Sequence, residues 1–170
     1  LGYSAGGPVA VHFAVRHPDR IWGLILECAV TRKWTIDPGN YQEKLFFGYL
    51  MHSDPFLWAS DVTGNLAPRL VGMSTIEMES SLDKEETKRL MDSIMHDERR
   101  VAVLKDMIKG MSPEELRKEG MDNDVEQLGK IRDLPLGMIG TPTLIIHGTS
   151  DADVPVADAR YASRVIPGSE

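Results

Sequence analysis

A serine between glycines near the start of the chain constrains the fold more than any other feature. The first residues read Leu-Gly-Tyr-Ser-Ala-Gly-Gly, so Gly2 and Gly6 lie two positions on either side of Ser4. Small residues at both positions permit a sharp turn between a strand and a helix, where neighbouring backbone approaches closely. Such a turn forces its central residue into strained backbone angles. We therefore expect Ser4 to lie at a strand-to-helix bend, where Gly7 further reduces steric crowding.

A helix and then a strand are predicted directly after this bend. The apolar face of the helix is indicated by residues at helical spacing: Val9, Ala10, Phe13 and Ala14. Pro18, in the stretch HPDR, ends the helix because a proline disfavours helical geometry in the residue before it. Residues 21–30, IWGLILECAV, are mostly apolar and do not alternate, which is typical of a strand buried on both faces.

The middle of the chain, residues 31–138, is polar and helical in its pattern, without a convincing strand. In HSDPF, we expect Asp54 to cap a helix that has Pro55 in its first turn. In MSPEEL, a second helix start is predicted, with a cap, a first-turn proline and a capping box at Ser112, Pro113 and Glu115. Between them, one apolar helix face is predicted from Val101, Leu104, Ile108 and Met111.

The last segment returns to strand and helix. TPTLIIHG, residues 141–148, is a β-branched apolar run of strand length that ends at a glycine. A helix is predicted to enter through Pro155 and to end near Pro167. Alternation of strand and helix at both ends favours an α/β fold with a parallel sheet. The predicted divisions are a core at 1–30, a helical cap or lid at 31–138 and a core at 139–170.

Composition and charge exclude several kinds of partner. The 170 residues carry a net charge of −7 and their basic residues do not cluster, so a nucleic-acid partner has no electrostatic support. No apolar run approaches the length of a membrane span. The single cysteine, Cys28, excludes an internal disulfide and fits a reducing, cytoplasmic compartment. We expect its side chain to be a small buried hydrophobe.

A serine at such a bend is a candidate nucleophile. Its hydroxyl attacks a carbonyl carbon only when a base takes its proton and hydrogen-bond donors stabilise the oxyanion that forms. The helix after Ser4 directs its N-terminus at the site, where its dipole favours negative charge. We expect the Ala5 amide to be one donor of this oxyanion hole.

The elbow at residues 2–7, the small-residue helix ending in RHPDR and the apolar strand after it resemble the nucleophile-elbow region of the α/β-hydrolase family. PTLIIHGTSDADVP, residues 142–155, is similar to the family's penultimate strand and acid loop. On that pattern the catalytic acid is Asp151. The resemblance spans both ends of the chain and implies a parallel sheet with a helical cap, with no metal and no cofactor.

In this family an acid orients a histidine and stabilises its charged form, and the resemblance assigns that role to Asp151. Three alternatives stay open: Asp151 as a turn residue near Gly148, Asp153 as the acid, and Glu27, because some members carry the acid after the preceding strand. The family order along the chain is serine, acid, histidine.

No histidine follows Asp151; all five precede it, at His12, His17, His52, His96 and His147. We expect His147 to have a structural role. If His52 or His96 of the predicted cap were the catalytic base, the arrangement would depart from that of the family. The chain therefore reads as an internal fragment that lacks the upstream strands, the second oxyanion amide and the base. An uncovered sheet edge then predicts poor solubility or partial disorder for these residues alone.

The resemblance implies a serine hydrolase that cleaves an ester, amide or carbon–carbon bond through an acyl-enzyme on Ser4. We favour carboxylesterase or lipase-like activity on a small, mainly apolar substrate, with a related peptidase as an alternative. A dehalogenase is disfavoured, since that chemistry uses an aspartate at this position. A non-catalytic ligand-binding protein of the same fold is the other candidate. The expected partners are a small-molecule substrate and water.

The predicted cap contains large apolar residues that could line an acyl pocket or form part of the protein core, and the sequence leaves both interpretations open. These residues are Trp34, Phe46, Phe47, Tyr49, Met51 and Trp58. Nothing in the sequence indicates the oligomeric state.

Overall fold

The described residues of the computed structural model, 1–36, 39, 41–111 and 117–170, form two units. The first unit contains residues 1–35 and 124–170, and the second contains residues 36–123. The predicted helix start at Ser112, Pro113 and Glu115 lies outside the described residues. That the second unit serves as a cap stays a prediction.

A parallel sheet lies in the first unit. Its strands are β1 (Gly2–Tyr3), β2 (Leu24–Glu27) and β3 (Thr143–Ile146), in the spatial order β1-β2-β3. Tyr3 is opposite Glu27, and Glu27 is opposite Ile146, so the three strands end at the same level. The predicted α/β class with a parallel sheet is confirmed.

The described helices are, in chain order, α1 (Gly7–Arg16), α2 (Tyr41–Gly48), α3 (Asp54–Leu66), α4 (Pro68–Glu79), α5 (Lys84–Met95), α6 (Glu98–Met111), α7 (Lys118–Lys130) and α8 (Val156–Val165). Short 3-10 turns lie at Ser4–Gly6, Pro18–Arg20, Leu50–His52 and Leu136–Met138. The helix predicted after Ser4 and the helix predicted from Pro155 are thus both present.

Helices α1 and α8 pack on one face of the sheet. The core there consists of Val11, Ala14, Leu24, Leu26, Ala29, Leu136, Ile139, Ala162 and Ile166. The apolar face predicted for α1 is partly wrong: Ala14 is buried, but Val9 is 73% exposed and Val11 is fully buried instead. The buried side of α1 therefore follows Gly7, Val11 and Ala14, at spacings of four and three.

The opposite face of the sheet is open among the described residues. Ile25, Leu144 and Ile146 lie on it at 40%, 42% and 48% exposure, whereas Leu24 and Leu26 are buried. The expectation that β2 is buried on both faces is therefore wrong in this chain. Burial of the second face requires a layer that these residues do not supply.

The second unit contains helices α2 to α6 and the beginning of α7. The cap of α3 is Ser53, with Asp54 as the first helical residue, so the prediction of Asp54 as the cap is one residue off. The amphipathic face of α6 is confirmed by its described side chains, since Ile108 is 6% exposed and Val103 is 59% exposed. None of the described helices has the length and apolar character that crossing a bilayer requires.

Candidate functional site

Ser4 occupies the bend between β1 and α1. β1 ends at Tyr3, a 3-10 turn covers Ser4–Gly6, and α1 begins at Gly7. The φ angle of Ser4 is +47°, in the left-handed region that residues other than glycine rarely adopt. Its carbonyl oxygen accepts hydrogen bonds from the Val30 amide, at 3.0 Å, and from the Gly7 amide. The strained bend predicted from the sequence is confirmed.

The close approach that this bend requires occurs at Gly2 and Gly7. A Cβ on Gly7 would lie 2.5 Å from the Val30 carbonyl oxygen, and one on Gly2 would lie 2.8 Å from the Ala10 Cβ. Gly6, in contrast, has ordinary angles (φ −74°, ψ −9°) and no described atom within 4 Å of an added Cβ. The prediction that Gly6 provides clearance is therefore wrong in this chain, and Gly7 takes that part.

Asp151 lies in the loop after β3, at the same end of the sheet as Ser4. Its Oδ1 accepts a hydrogen bond from the Val154 amide at 2.8 Å. The indole N–H of Trp34 donates to the Asp153 carbonyl oxygen at 2.8 Å. These two bonds fix the loop that carries the predicted acid. Trp34, which the sequence placed among the cap residues, thus belongs to the first unit and holds this loop.

A cluster of three polar groups surrounds the Asp151 carboxylate. The Cys28 sulfur, a His147 ring nitrogen and an Asp151 oxygen all lie within 4.8 Å of one another. Cys28 follows β2 directly and has a φ of +44°. Burial raises the pKa of the Cys28 thiol and the Asp151 carboxylate raises it further, while a hydrogen bond with the Gly148 backbone opposes them.

The same three residue types also bind metals, but one of them is already engaged. Nε2 of His147 lies 2.7 Å from the Val154 carbonyl oxygen, which only accepts hydrogen bonds. Nε2 therefore carries a proton and has no lone pair for a cation. The Cys28, His147 and Asp151 set is better described as a hydrogen-bonded cluster.

The two alternative acids are Glu27 and Asp153, of which Asp153 lies close enough to Asp151 for their charges to interact. Glu27 ends β2 and is half-buried. Burial raises the pKa of Asp153, the Asp151 charge adds to that shift, and a hydrogen bond from the Trp34 side chain lowers the pKa in part.

The remaining histidines lie elsewhere. The His17 ring packs at a tilt of 53° against Phe13, His52 faces Asp122 at 3.8 Å, and Nδ1 of His96 lies 2.6 Å from the Asp92 carbonyl. Among the described hydrogen bonds, none joins a histidine to Ser4. Met51, one of the candidate pocket residues, is 2% exposed, which favours its interpretation as core.

One buried network was missed by the sequence analysis. Asp158, 6% exposed, accepts hydrogen bonds from the Thr31 amide at 3.3 Å and from Arg32 Nε at 2.9 Å. The Thr31 hydroxyl donates to the Asp158 carbonyl oxygen at 3.0 Å. The network joins the segment after β2 to α8. Its partners are 126 or 127 positions apart, and no local pattern pairs them.

Comparisons with known proteins find hydrolases over nearly the whole chain. An uncharacterized hydrolase of Bacillus subtilis, YcgS, is 27% identical over 175 residues, covering 99% of this chain and 57% of that protein. An α/β-hydrolase fold protein from Nakamurella multipartita is 32% identical with a TM-score of 0.84, covering 99% of this chain and 57% of that one.

A thermophilic esterase from Thermogutta terrifontis matches at 22% identity with a TM-score of 0.53, covering 99% of this chain and 52% of that one, and supports the fold alone. The chain thus spans little more than half the length of these relatives. The sequence model of the Hydrolase_4 family, described as serine aminopeptidase, S33, matches residues 1–169. The chain therefore belongs to this hydrolase family, and its fold is that of the α/β hydrolases.

Proposed function

We propose that this chain carries the nucleophile and the acid of a serine hydrolase, Ser4 and Asp151, with the Ala5 amide in the oxyanion hole. The observation that carries the proposal is the φ of +47° at Ser4, on the bend that joins a strand to the N-terminus of a ten-residue helix. A strained angle of this kind costs about 1–3 kcal/mol and is retained mainly where function needs it.

The position of the acid supports the proposal independently. Ser4 directly follows β1, and Asp151 lies in the loop after β3, so both are at the carboxyl end of one parallel sheet. Oδ1 of Asp151 is held by the Val154 amide. A carboxylate has further lone pairs, so it still accepts a hydrogen bond from an imidazole N–H. That bond would orient the base and stabilise its charged form.

The reaction then proceeds in two halves. A histidine of the whole protein takes the Ser4 proton as the serine oxygen bonds to the carbonyl carbon of the substrate. The carbonyl electron pair moves to its oxygen, where the Ala5 amide donates a hydrogen bond. The pair returns, the bond to the leaving group breaks, and the histidine returns the proton to that group. Water then attacks the acyl-enzyme through the same steps, which releases the carboxylic acid product and restores the Ser4 hydroxyl.

We assign an ester of a small, mainly apolar acid as the substrate. The second unit, taken by itself, exposes large apolar side chains, among them Tyr49 at 74% and Trp58 at 70% exposure, and such side chains favour an apolar ligand. A peptide amide and a carbon–carbon bond require the same two residues, so the family's aminopeptidase description makes an amide the first alternative.

A fluorophosphonate probe tests the proposal on the protein expressed at its full natural length. We expect labelling of the wild type, loss of labelling in Ser4→Ala, and full labelling in the control Ser93→Ala, whose serine is exposed on α5. Asp151→Asn should lower kcat by about 10³–10⁴-fold. An unlabelled wild type would contradict the proposal and favour the alternative, a non-catalytic ligand-binding protein of the same fold.

The bond type is read from kcat/KM on p-nitrophenyl butyrate and on an amino-acid p-nitroanilide. A higher kcat/KM for the ester supports an ester as the substrate. A higher kcat/KM for the anilide would instead indicate a peptidase.

A further inference from the structure

A buried histidine holds the loop that carries Asp151. His147 follows β3 directly, and its side chain is 4% exposed. Its Nε2 lies 2.7 Å from the Val154 carbonyl oxygen and 3.4 Å from Oδ2 of Asp151. The first distance is that of a good hydrogen bond, and the second is that of a longer polar contact between the ring and the carboxylate.

The Val154 carbonyl fixes where the proton of this ring lies. A carbonyl oxygen has no proton to give, so Nε2 must be the donor. Nε2 also lies 3.4 Å from Oδ2 of Asp151, while Oδ1 accepts from the Val154 amide. Each carboxylate oxygen therefore faces a donor tied to the backbone at Val154. Two such contacts set the plane of the carboxylate as well as its position.

We propose that His147 is a positioning residue, whose Nε2–H is bonded to the Val154 carbonyl and whose ring edge lies against Asp151 Oδ2, so that it fixes the orientation of the Asp151 carboxylate. This role rests on the proposed function, in which Asp151 orients the base. His147 does not touch the substrate or Ser4 in this role.

The neighbouring thiol is consistent with it. Cys28 lies in the same cluster and, with its pKa raised by burial, stays uncharged near neutral pH. The thiol therefore brings no second negative charge next to Asp151. The neutral thiol is itself a hydrogen-bond donor to the Asp151 carboxylate, beside the His147 ring whose Nε2 lies 3.4 Å from Oδ2.

Two amide substitutions separate positioning from packing. In His147→Gln the side-chain nitrogen reaches about as far from the backbone as Nε2, whereas in His147→Asn it reaches only as far as Nδ1. We expect the Gln variant to keep kcat within about threefold and the Asn variant to lose about 10–100-fold in kcat with little change in KM, because a displacement of about 1 Å in catalytic geometry has effects of this size. Equal losses in both variants would overturn the proposal.

The measurements use the protein at its full natural length, with thermal melts to show that both variants are folded. Nitrogen-15 NMR of the wild type should show the Nε2–H form of His147, and a ring protonated only at Nδ1 would overturn the inference. Both variants remove the ring and its effect on nearby resonances, so the carboxyl carbon-13 resonance of Asp151 should move clearly further from its wild-type position in His147→Asn than in His147→Gln. This NMR comparison reads the positioning even if the wild type neither hydrolyses esters nor reacts with fluorophosphonate, a result that removes the proposed function alone.

Discussion

Ser4 and Cys28 hold left-handed backbone angles at the ends of neighbouring strands. Since Tyr3 is opposite Glu27, the residues that follow them are adjacent across the sheet. Each is fixed by a backbone hydrogen bond: the Ser4 carbonyl accepts from the Val30 amide, and the Cys28 amide donates to the Ile146 carbonyl at 2.9 Å. Strain persists where neighbours over-determine it, and these two hydrogen bonds help to hold the strained angles.

The raised pKa of Cys28 makes its reactivity a probe of the Asp151 charge. A raised pKa leaves less thiolate at a given pH, so iodoacetamide should alkylate Cys28 slowly at pH 7–8 and faster as the pH rises. Asp151→Asn removes a charge that raises this pKa, so alkylation at pH 7.5 should accelerate. Peptide-resolved mass spectrometry measures the rate. Asp153→Asn is the control, because Asp153 does not contribute to the shift. Equal rates in Asp151→Asn and wild type would contradict the prediction.

The glycines of the bend differ in what an added methyl group would meet. Gly7→Ala places a Cβ 2.5 Å from the Val30 carbonyl oxygen, a backbone atom that cannot move aside cheaply. We expect it to lower the free energy of unfolding by about 1–3 kcal/mol or more. Gly6→Ala meets no described atom within 4 Å and should change stability by no more than about 0.5 kcal/mol. Urea denaturation compares the two, and a larger loss for Gly6→Ala would refute the assignment of the close contact.

At the scale of elements, local patterns located the strands β2 and β3 and the helices α1, α3, α6 and α8, but did not divide the rest of the helical middle into α2, α4, α5 and α7. The glycines gave the bend before α1, Pro18 gave its end, and Pro155 gave the start of α8. The face that α1 buries and the exposure of β2 were missed, because both depend on which layers pack against them. The periodicity of apolar residues indicates which face of a helix or strand is apolar, but it does not show which other element packs on that face.

The hydrogen bonds of Asp158 connect α8 to the segment after β2, and they give a prediction at the scale of elements. Asp158→Ala leaves the Thr31 amide and Arg32 without their buried acceptor, so we expect the free energy of unfolding to fall by about 2–4 kcal/mol. The matched control is Asp92→Ala, which breaks an exposed pair with Arg69 at 2.6 Å and should cost at most about 1 kcal/mol. Chemical denaturation measures both, and equal losses would count against a buried joint.

At the scale of the whole molecule, the parallel sheet brings distant residues to one end. Strands that run the same way present their carboxyl ends together, so Ser4, Cys28 and the loop with Asp151 lie at the same end of the sheet although they are far apart in sequence. Cys28 and Asp151 are neighbours there. The sequence could single out Ser4 and Asp151 as candidates because a recognisable pattern surrounds each, and their catalytic roles stay predictions. It could not assign His147 a proton or Cys28 a strained angle, because both follow from contacts made only in the folded sheet.

The open face of the sheet gives the last prediction. Ile25, Leu144 and Ile146 lie side by side on it, each at least 40% exposed, and apolar surface of this kind promotes association. The 170 residues expressed alone should therefore bind a hydrophobic dye and elute as oligomers in size-exclusion chromatography. Leu144→Lys with Ile146→Lys should reduce both, because charged side chains on this face oppose stacking. Val103→Lys, at an exposed position on α6, is the control for added charge and should leave association unchanged. Monomeric wild type without dye binding would show that this face does not drive association.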